Sequence, residues 1–279
     1  VLLSKKMKKA IGFLGGQFGD AITTIAAQKI FLEHNPDFEF TFALSKKYEE
    51  IIPLFLNQPH IKNVHLWEGY DSYWPTTNDS EFINSQKFDI VFNPMQGVIH
   101  DWFKSMHQVS LCCARYGLKI PKTNEVSLHK YFEPNENYKN YVAVSYFANN
   151  GQGIKNISIQ KINIINNFIK SMGYKIVHLG GRNEPMIDHA INPKLSLFES
   201  VRILCSCKLL ITTDTAMSWI ASAYKIPTIG IYSYAYHPGA TTSINWQPVN
   251  PNAFYLESDA AENVSLNDIL ENIEKKLKE

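Results

Sequence analysis

Short apolar runs alternate with stretches of helical period along most of this chain, the pattern of β-α units around a parallel sheet. In the first half the strand candidates are Ala10 to Leu14, Phe38 to Leu44, Val64 to Trp67 and Phe88 to Phe92. Between the first two, Ile22, Ile25, Ala26, Lys29 and Ile30 are spaced to give a helix an inner face. A second series begins at Tyr141 to Phe147 and continues with Lys175 to Leu179, Leu209 to Thr212 and Thr228 to Tyr232. Its helices carry Ile162, Ile165, Phe168, Ile169 and Met172, then Phe198, Val201, Leu204 and Cys205. The chain ends in an amphipathic helix striped by Leu266, Ile269, Leu270, Ile273 and Leu277, with Ser265 and Asp268 at capping-box spacing.

Two stretches interrupt the alternation. Residues 70–87, "YDSYWPTTNDSEFINSQK", are polar and turn-rich and read as a surface excursion. Residues 121–140 lose periodicity and contain Pro121 and Pro134, which marks a linker. The expected organisation is an N-terminal domain at 1–137 and a C-terminal domain at 138–279. Two such α/β domains leave a cleft between them, and ligands collect beyond the carboxyl ends of the strands.

Composition narrows the partners. Across 279 residues, 27 Lys plus Arg oppose 26 Asp plus Glu, a formal net charge of +1 that draws in no nucleic acid. The basic clusters Lys5 to Lys9 and Lys275 to Lys278 suit a solvated face or a weak peripheral membrane contact equally well. No run approaches the ~18 apolar residues of a membrane span, and the start lacks a secretory signal, so a cytoplasmic enzyme is expected. Cys112, Cys113, Cys205 and Cys207 lack metal-motif spacing and read as buried free thiols.

Chemistry concentrates in a few loops. In "GFLGGQFGDA" the glycines let backbone approach a ligand, but Gly12 and Gly15 are spaced wrongly for the dinucleotide fingerprint. Asp20 stands where this loop becomes a helix, either as a helix cap or as a general base for a substrate hydroxyl. In "LLITTDTAMSWIASAYKIPTIGIYS" the N–H groups of Thr215, Ala216 and Met217 are expected to face a diphosphate at a helix start. Asp214 caps that helix, fixes the turn or bonds to sugar hydroxyls. Lys155, in the polar loop "ANNGQGIKNIS", offers an ammonium to a phosphate, and Glu184, in "LGGRNEP", is placed to meet ribose hydroxyls. His237 with Tyr234 and Tyr236 reads as a pocket wall or as packing. His100 and Asp101 read as acceptor-facing or solvated, and Trp67, Trp74 and Trp102 as an acceptor surface or as core.

Together these segments resemble the lipopolysaccharide heptosyltransferases and their relatives, the ADP-heptose-using family 9 glycosyltransferases. "GFLGGQFGDAITTIAAQKIF" is similar to the family's opening strand and Gly-Asp loop. "VAVSYFANNGQGIKNISIQKINIINNFI" resembles the start of its nucleotide-binding domain, and "LSLFESVRILCSCKLLITTDTAMSWIASAYKIPTIGIYS" its Asp-Thr-Gly turn. Ala216 stands where the family has Gly, and Trp219 where it has His.

The resemblance implies a GT-B fold: two Rossmann-like domains facing each other across a cleft. It makes Asp20 the catalytic base, and makes Gly19, Lys155, Glu184, Asp214, Thr215 and Ala216 the residues that bind a nucleoside-diphosphate sugar such as ADP-heptose. It implies metal-independent, inverting transfer of that sugar to a hydroxyl of a glycan or glycolipid acceptor, without a cofactor. Other readings stay open at this point: a related enzyme with another donor, a sugar-nucleotide epimerase or hydrolase, or a catalytically silent binding module.

Overall fold

The computed structural model of the protein describes residues 7–13, 18–67, 77–92, 106–148, 152–181 and 184–279. Trp74, His100, Asp101 and Trp102, like Gly15 and Gly16 of the first loop, lie outside the described residues. The described residues divide into two compact units, 7–124 and 125–279.

In the first unit, strands β1 (Lys8–Phe13), β2 (Phe38–Ser45), β3 (Asn63–Trp67) and β4 (Ile90–Phe92) form a parallel sheet in the order β3-β2-β1-β4. Its helices are α1 (Phe18–His34), α2 (Ile52–Leu56), α3 (Thr77–Gln86) and α4 (Gln108–Arg115). Helix α1 is buried without a break from Ala21 to Gln28, well beyond the single inner stripe its apolar spacing suggests. Helix α4 supplies the second cover: the Thr23 and Thr24 hydroxyls lie 4.0 and 3.9 Å from Cys112 Sγ, and Gln28 Nε2 donates to the Tyr116 hydroxyl at 3.4 Å. Both threonine hydroxyls also donate to the Asp20 carbonyl, so burying them leaves no hydroxyl unpaired.

The turn-rich excursion contains α3, whose Phe82 ring stacks on His65 at 3.7 Å and joins Ile83 against the buried Ile11, Phe13 and Trp67. Tertiary contacts therefore make a helix where polarity indicates a loop. Trp67 is fully buried with its ring 5.1 Å from Phe13, so it is a core residue and not an acceptor surface.

The second unit holds β5 (Tyr141–Ser145), β6 (Lys175–His178), β7 (Ala190–Ile191), β8 (Leu209–Thr213), β9 (Thr228–Ser233) and β10 (Ala253–Ser258), all parallel, in the order β10-β9-β8-β5-β6-β7. Helices α5 (Gln152–Lys155), α6 (Ile159–Ser171), α7 (Leu197–Leu204), α8 (Ala216–Ala223) and α9 (Leu266–Lys278) complete it. From β5 the sheet grows outward through β6 on one side and through β8 on the other, so the chain reverses its direction of travel between β5 and β8. Val142, Val144, Leu209, Ile211, Ile229 and Ile231 form the sheet side of one core, closed by Ile162, Ile165, Ile269 and Ile273. Ser265 caps α9 by accepting from the Asp268 N–H at 3.3 Å.

The segment expected as a linker is not free-standing. The units divide after Asn124, earlier than the expected border at 137/138, because the chain from Glu125 onward packs into the second unit. Val126, Leu128 and Phe132 are buried, the Leu128 N–H donates to the Ala223 carbonyl, and the Phe132 ring meets Phe198 and Tyr224 edge-on. No helix among the described residues is long and apolar enough to cross a membrane.

Gly12, inside β1, sits under a buried polar pair: a methyl group there would lie 2.6 Å from the Tyr116 hydroxyl and 2.8 Å from Gln28 Nε2. Gly12→Ala is expected to destabilise the first unit by about 1–3 kcal/mol through overpacking. Chemical denaturation checks this, and an unshifted midpoint would show that α1 and α4 can yield.

Candidate functional site

The reversal between β5 and β8 leaves the carboxyl ends of these two strands open beside each other, paired as far as Ser145 and Thr212. Hydroxyls stitch the opening together. Thr212 Oγ1 donates to the Ser145 carbonyl at 3.0 Å, Thr213 Oγ1 donates to the Tyr146 carbonyl at 3.1 Å, and Thr215 Oγ1 lies 2.9 Å from Thr212 Oγ1 and 3.2 Å from Ser145 Oγ. From the next strand, the Tyr232 hydroxyl donates to Ser218 Oγ at 2.8 Å, which in turn donates to the Thr215 carbonyl at 2.7 Å. Burial first, and the charge of Asp214 second, push the Tyr232 phenol well above its ordinary range, so it remains a donor. The first turn of α8 is thus tied to three strands.

This arrangement corrects two expectations about the Asp-Thr-Ala turn. The residue capping α8 is Thr215, extended at φ −125° and ψ 167°, with Met217 N–H donating to its hydroxyl at 3.3 Å; Asp214 has a different partner. The Thr215 N–H donates back to the Thr213 carbonyl at 2.8 Å. Two of the three amides expected to face a diphosphate are therefore engaged inside the turn. Ala216 opens the helix and is not among the described residues with positive φ, so its methyl group is accommodated where the resembled family has Gly. Trp219 is buried, filling core space.

Lys155 closes α5 and reaches Asp214, with Nζ 2.6 Å from Oδ2 and both side chains 12% exposed. The ammonium also sits 3.6 Å from the centre of the Tyr236 ring. A lysine so deeply covered needs its carboxylate, since an unpaired buried charge is strongly disfavoured. The expected flexible loop is accordingly, at Lys155, a short helix holding an anchored side chain. An ammonium carries three N–H groups, so a phosphate oxygen can share this one with Asp214.

Glu184 stands in the loop beyond β6. Its Oε1 accepts from the Gly181 N–H at 2.7 Å, while Oε2 lies 3.1 Å from Nε2 of the buried His178, out of line for a hydrogen bond. His237 is buried, with its ring 4.9 Å from Tyr236 and 4.3 Å from Trp246, which makes it packing beneath the Lys155 platform. Lys155, Asp214, Thr215, Ala216 and Glu184 all belong to the carboxyl edge of the second sheet.

In the first unit Gly19 and Asp20 form part of the first turn of α1, where the helix dipole favours a carboxylate. Gln108, the first residue of α4, donates Nε2 to Asp20 Oδ1 at 2.7 Å. Sequence reasoning missed Gln108, Tyr236 as the partner of Lys155, and His178. Only His178 leaves a sequence signal, a histidine in an apolar strand directly before "LGG". Among the described residues no group of His, Cys, Asp and Glu is arranged to hold a metal ion.

The chain is similar across its whole length to solved two-domain glycosyltransferases. A glycosyl transferase family 9 structure from Veillonella parvula superimposes with TM-score 0.73 at 14% identity, covering 98% of each chain. The ADP-heptose lipopolysaccharide heptosyltransferase II of E. coli gives 0.73 at 11% identity, covering 98% of this chain and 99% of that one. E. coli heptosyltransferase WaaC, solved with ADP, gives 0.68 at 14% identity, covering 97% and 100%. No curated protein matches the chain by sequence. The fold is therefore GT-B, two parallel-sheet cores flanked by helices. Residues 179–274, from just after β6 into α9, match the model of glycosyltransferase family 9 (heptosyltransferase).

The hydroxyl network makes a local prediction. Thr215→Val is expected to cost about 1–2 kcal/mol by removing the cap of α8, whereas Thr215→Ser retains most of it. Thermal unfolding of both variants checks this, and a loss in Thr215→Ser that Thr215→Val does not share would locate the effect in the methyl group instead.

Proposed function

We propose that the protein is an inverting, metal-independent glycosyltransferase that moves a sugar from a nucleoside-diphosphate donor to a hydroxyl of a glycan or glycolipid. One observation carries this reading: Lys155 meets the sequence-distant Asp214-Thr215 pair at the open carboxyl ends of β5 and β8, and that pair lies within residues 179–274, which match glycosyltransferase family 9 (heptosyltransferase). In this reading the donor diphosphate shares the Lys155 ammonium, Asp214 and Ala216 border the sugar, and Glu184 meets the ribose.

Asp20, with Gly19 beside it, serves as the general base. Held by Gln108, its carboxylate takes the proton of the acceptor hydroxyl as that oxygen attacks the anomeric carbon. The bond from that carbon to the diphosphate breaks in the same step, inverting the centre, and Lys155 meets the charge that develops on the leaving group. Structures of E. coli WaaC with ADP and with ADP-2-deoxy-2-fluoro heptose make ADP-heptose the first donor to test.

Calorimetric titration with ADP, UDP, GDP and CDP, followed by transfer assays with the matching sugar nucleotides, tests the reading. Preference for ADP and transfer that survives EDTA are expected. Binding without transfer to any acceptor would leave a silent binding module, and no binding would remove the reading. Asp20→Asn is expected to lower transfer by about 10²–10⁴-fold with nucleotide affinity unchanged, in line with general-base catalysis. Near-normal turnover would take Asp20 out of the chemistry. Lys155→Met is expected to weaken nucleoside-diphosphate binding by roughly tenfold or more through loss of a charge-assisted contact, read by the same titration.

A further inference from the structure

The end of β6 carries a histidine that the proposed chemistry does not use, and its surroundings are closely specified. His178 ends the strand with its side chain fully buried, against the edge of the Phe147 ring. Asn192 faces it from the residue following β7. The Asn192 side-chain oxygen accepts from the Lys194 N–H at 3.1 Å, which fixes the orientation of the side-chain amide. Its Nδ2 must then be the group 3.2 Å from His178 Nδ1, and an amide nitrogen only donates. Nδ1 is therefore the acceptor, and the proton of the neutral imidazole lies on Nε2.

That Nε2–H lies 3.1 Å from Glu184 Oε2, and neither atom has another hydrogen-bond partner among the described residues. Gly180 makes the approach possible. A methyl group at Gly180 would overlap Glu184 Oε2 and come within 2.5 Å of His178 Cε1 and Nε2. On the other side of the carboxylate, Oε1 is held by the Gly181 N–H at 2.7 Å. With Oε2 turned inward beside the imidazole, Oε1 is the oxygen of Glu184, whose side chain is 16% exposed, that keeps a lone pair for a ligand.

We infer that His178 is a positioning residue for nucleotide recognition: with its tautomer set by Asn192, it fixes Glu184 Oε2 on the inner side so that Oε1 is placed to accept from a ribose hydroxyl. The inference rests on the proposed nucleotide site and adds to it the selection of a ribonucleotide over its deoxy counterpart. A carboxylate left to swing would spend part of the binding energy on being ordered.

The test compares affinities for a nucleoside diphosphate and its 2′,3′-dideoxy analogue, using whichever of ADP, UDP, GDP and CDP the intact protein binds most tightly. His178→Phe keeps an aromatic ring and removes the donor. It is expected to lose about tenfold in ribonucleotide affinity, the scale of one hydrogen bond to a charged group, with dideoxynucleotide affinity unchanged. His178→Gln, whose amide can donate to Glu184, is expected to restore most of the preference. If His178→Phe does not fold, Asn192→Ala decides the matter through the same selective loss on a smaller scale. A ribose preference that survives these substitutions, or affinities for the two ligands that fall together, would overturn the inference while leaving the proposed function standing. Failure of the unaltered protein to bind any of the four diphosphates would overturn both.

Discussion

The reversal of strand order between β5 and β8 is the constraint from which the second unit takes its chemistry. Connections leave these neighbouring strands in opposite directions, which opens a gap at their carboxyl ends. This chain lines the gap with hydroxyls. Ser145, Thr212, Thr213, Thr215 and Ser218 bond across it and to one another, fixing the start of α8 without the glycine found in the resembled family. The turn is built from a threonine cap with extended backbone and an alanine without positive φ.

Charge in the gap is balanced before any ligand arrives. Lys155 and Asp214 are both largely covered, and each makes the burial of the other tolerable. Tyr236 supplies an aromatic face to the same ammonium, and His237 and Trp246 pack behind it. Under the proposed function an incoming phosphate would meet a lysine already placed, the cost of ordering that long side chain having been met in folding. The same logic extends to the neighbouring loop, where a backbone amide and a buried imidazole flank Glu184.

Identities of 11–14% with structures that share the whole fold follow from what a sheet core requires. Apolar side chains of suitable size in the right alternation suffice for the architecture, and many sequences provide them. The match to a family model is confined to residues 179–274. Trp219, standing where the resemblance leads one to expect His, is buried in the core.

The sequence by itself determined the parallel α/β character, the succession of the main strands along the chain, the amphipathic helices α6, α7 and α9, and the segments beside strand ends on which Asp20, Lys155, Glu184 and Asp214 stand. These are local properties: a strand buried on both faces reads as an apolar run, and a helix with one covered face reads as a stripe. Tertiary structure alone decided the rest. Helix α3 forms in a polar stretch because Phe82 finds His65 and Phe88, and the supposed linker is fastened because Leu128 and Phe132 find α7 and α8. The pairings Lys155 with Asp214, Gln108 with Asp20 and His178 with Glu184 were equally out of reach. Each depends on direction and distance between side chains carried by different elements or by the two ends of a loop, and residue order encodes which elements form without stating which of their side chains will face one another.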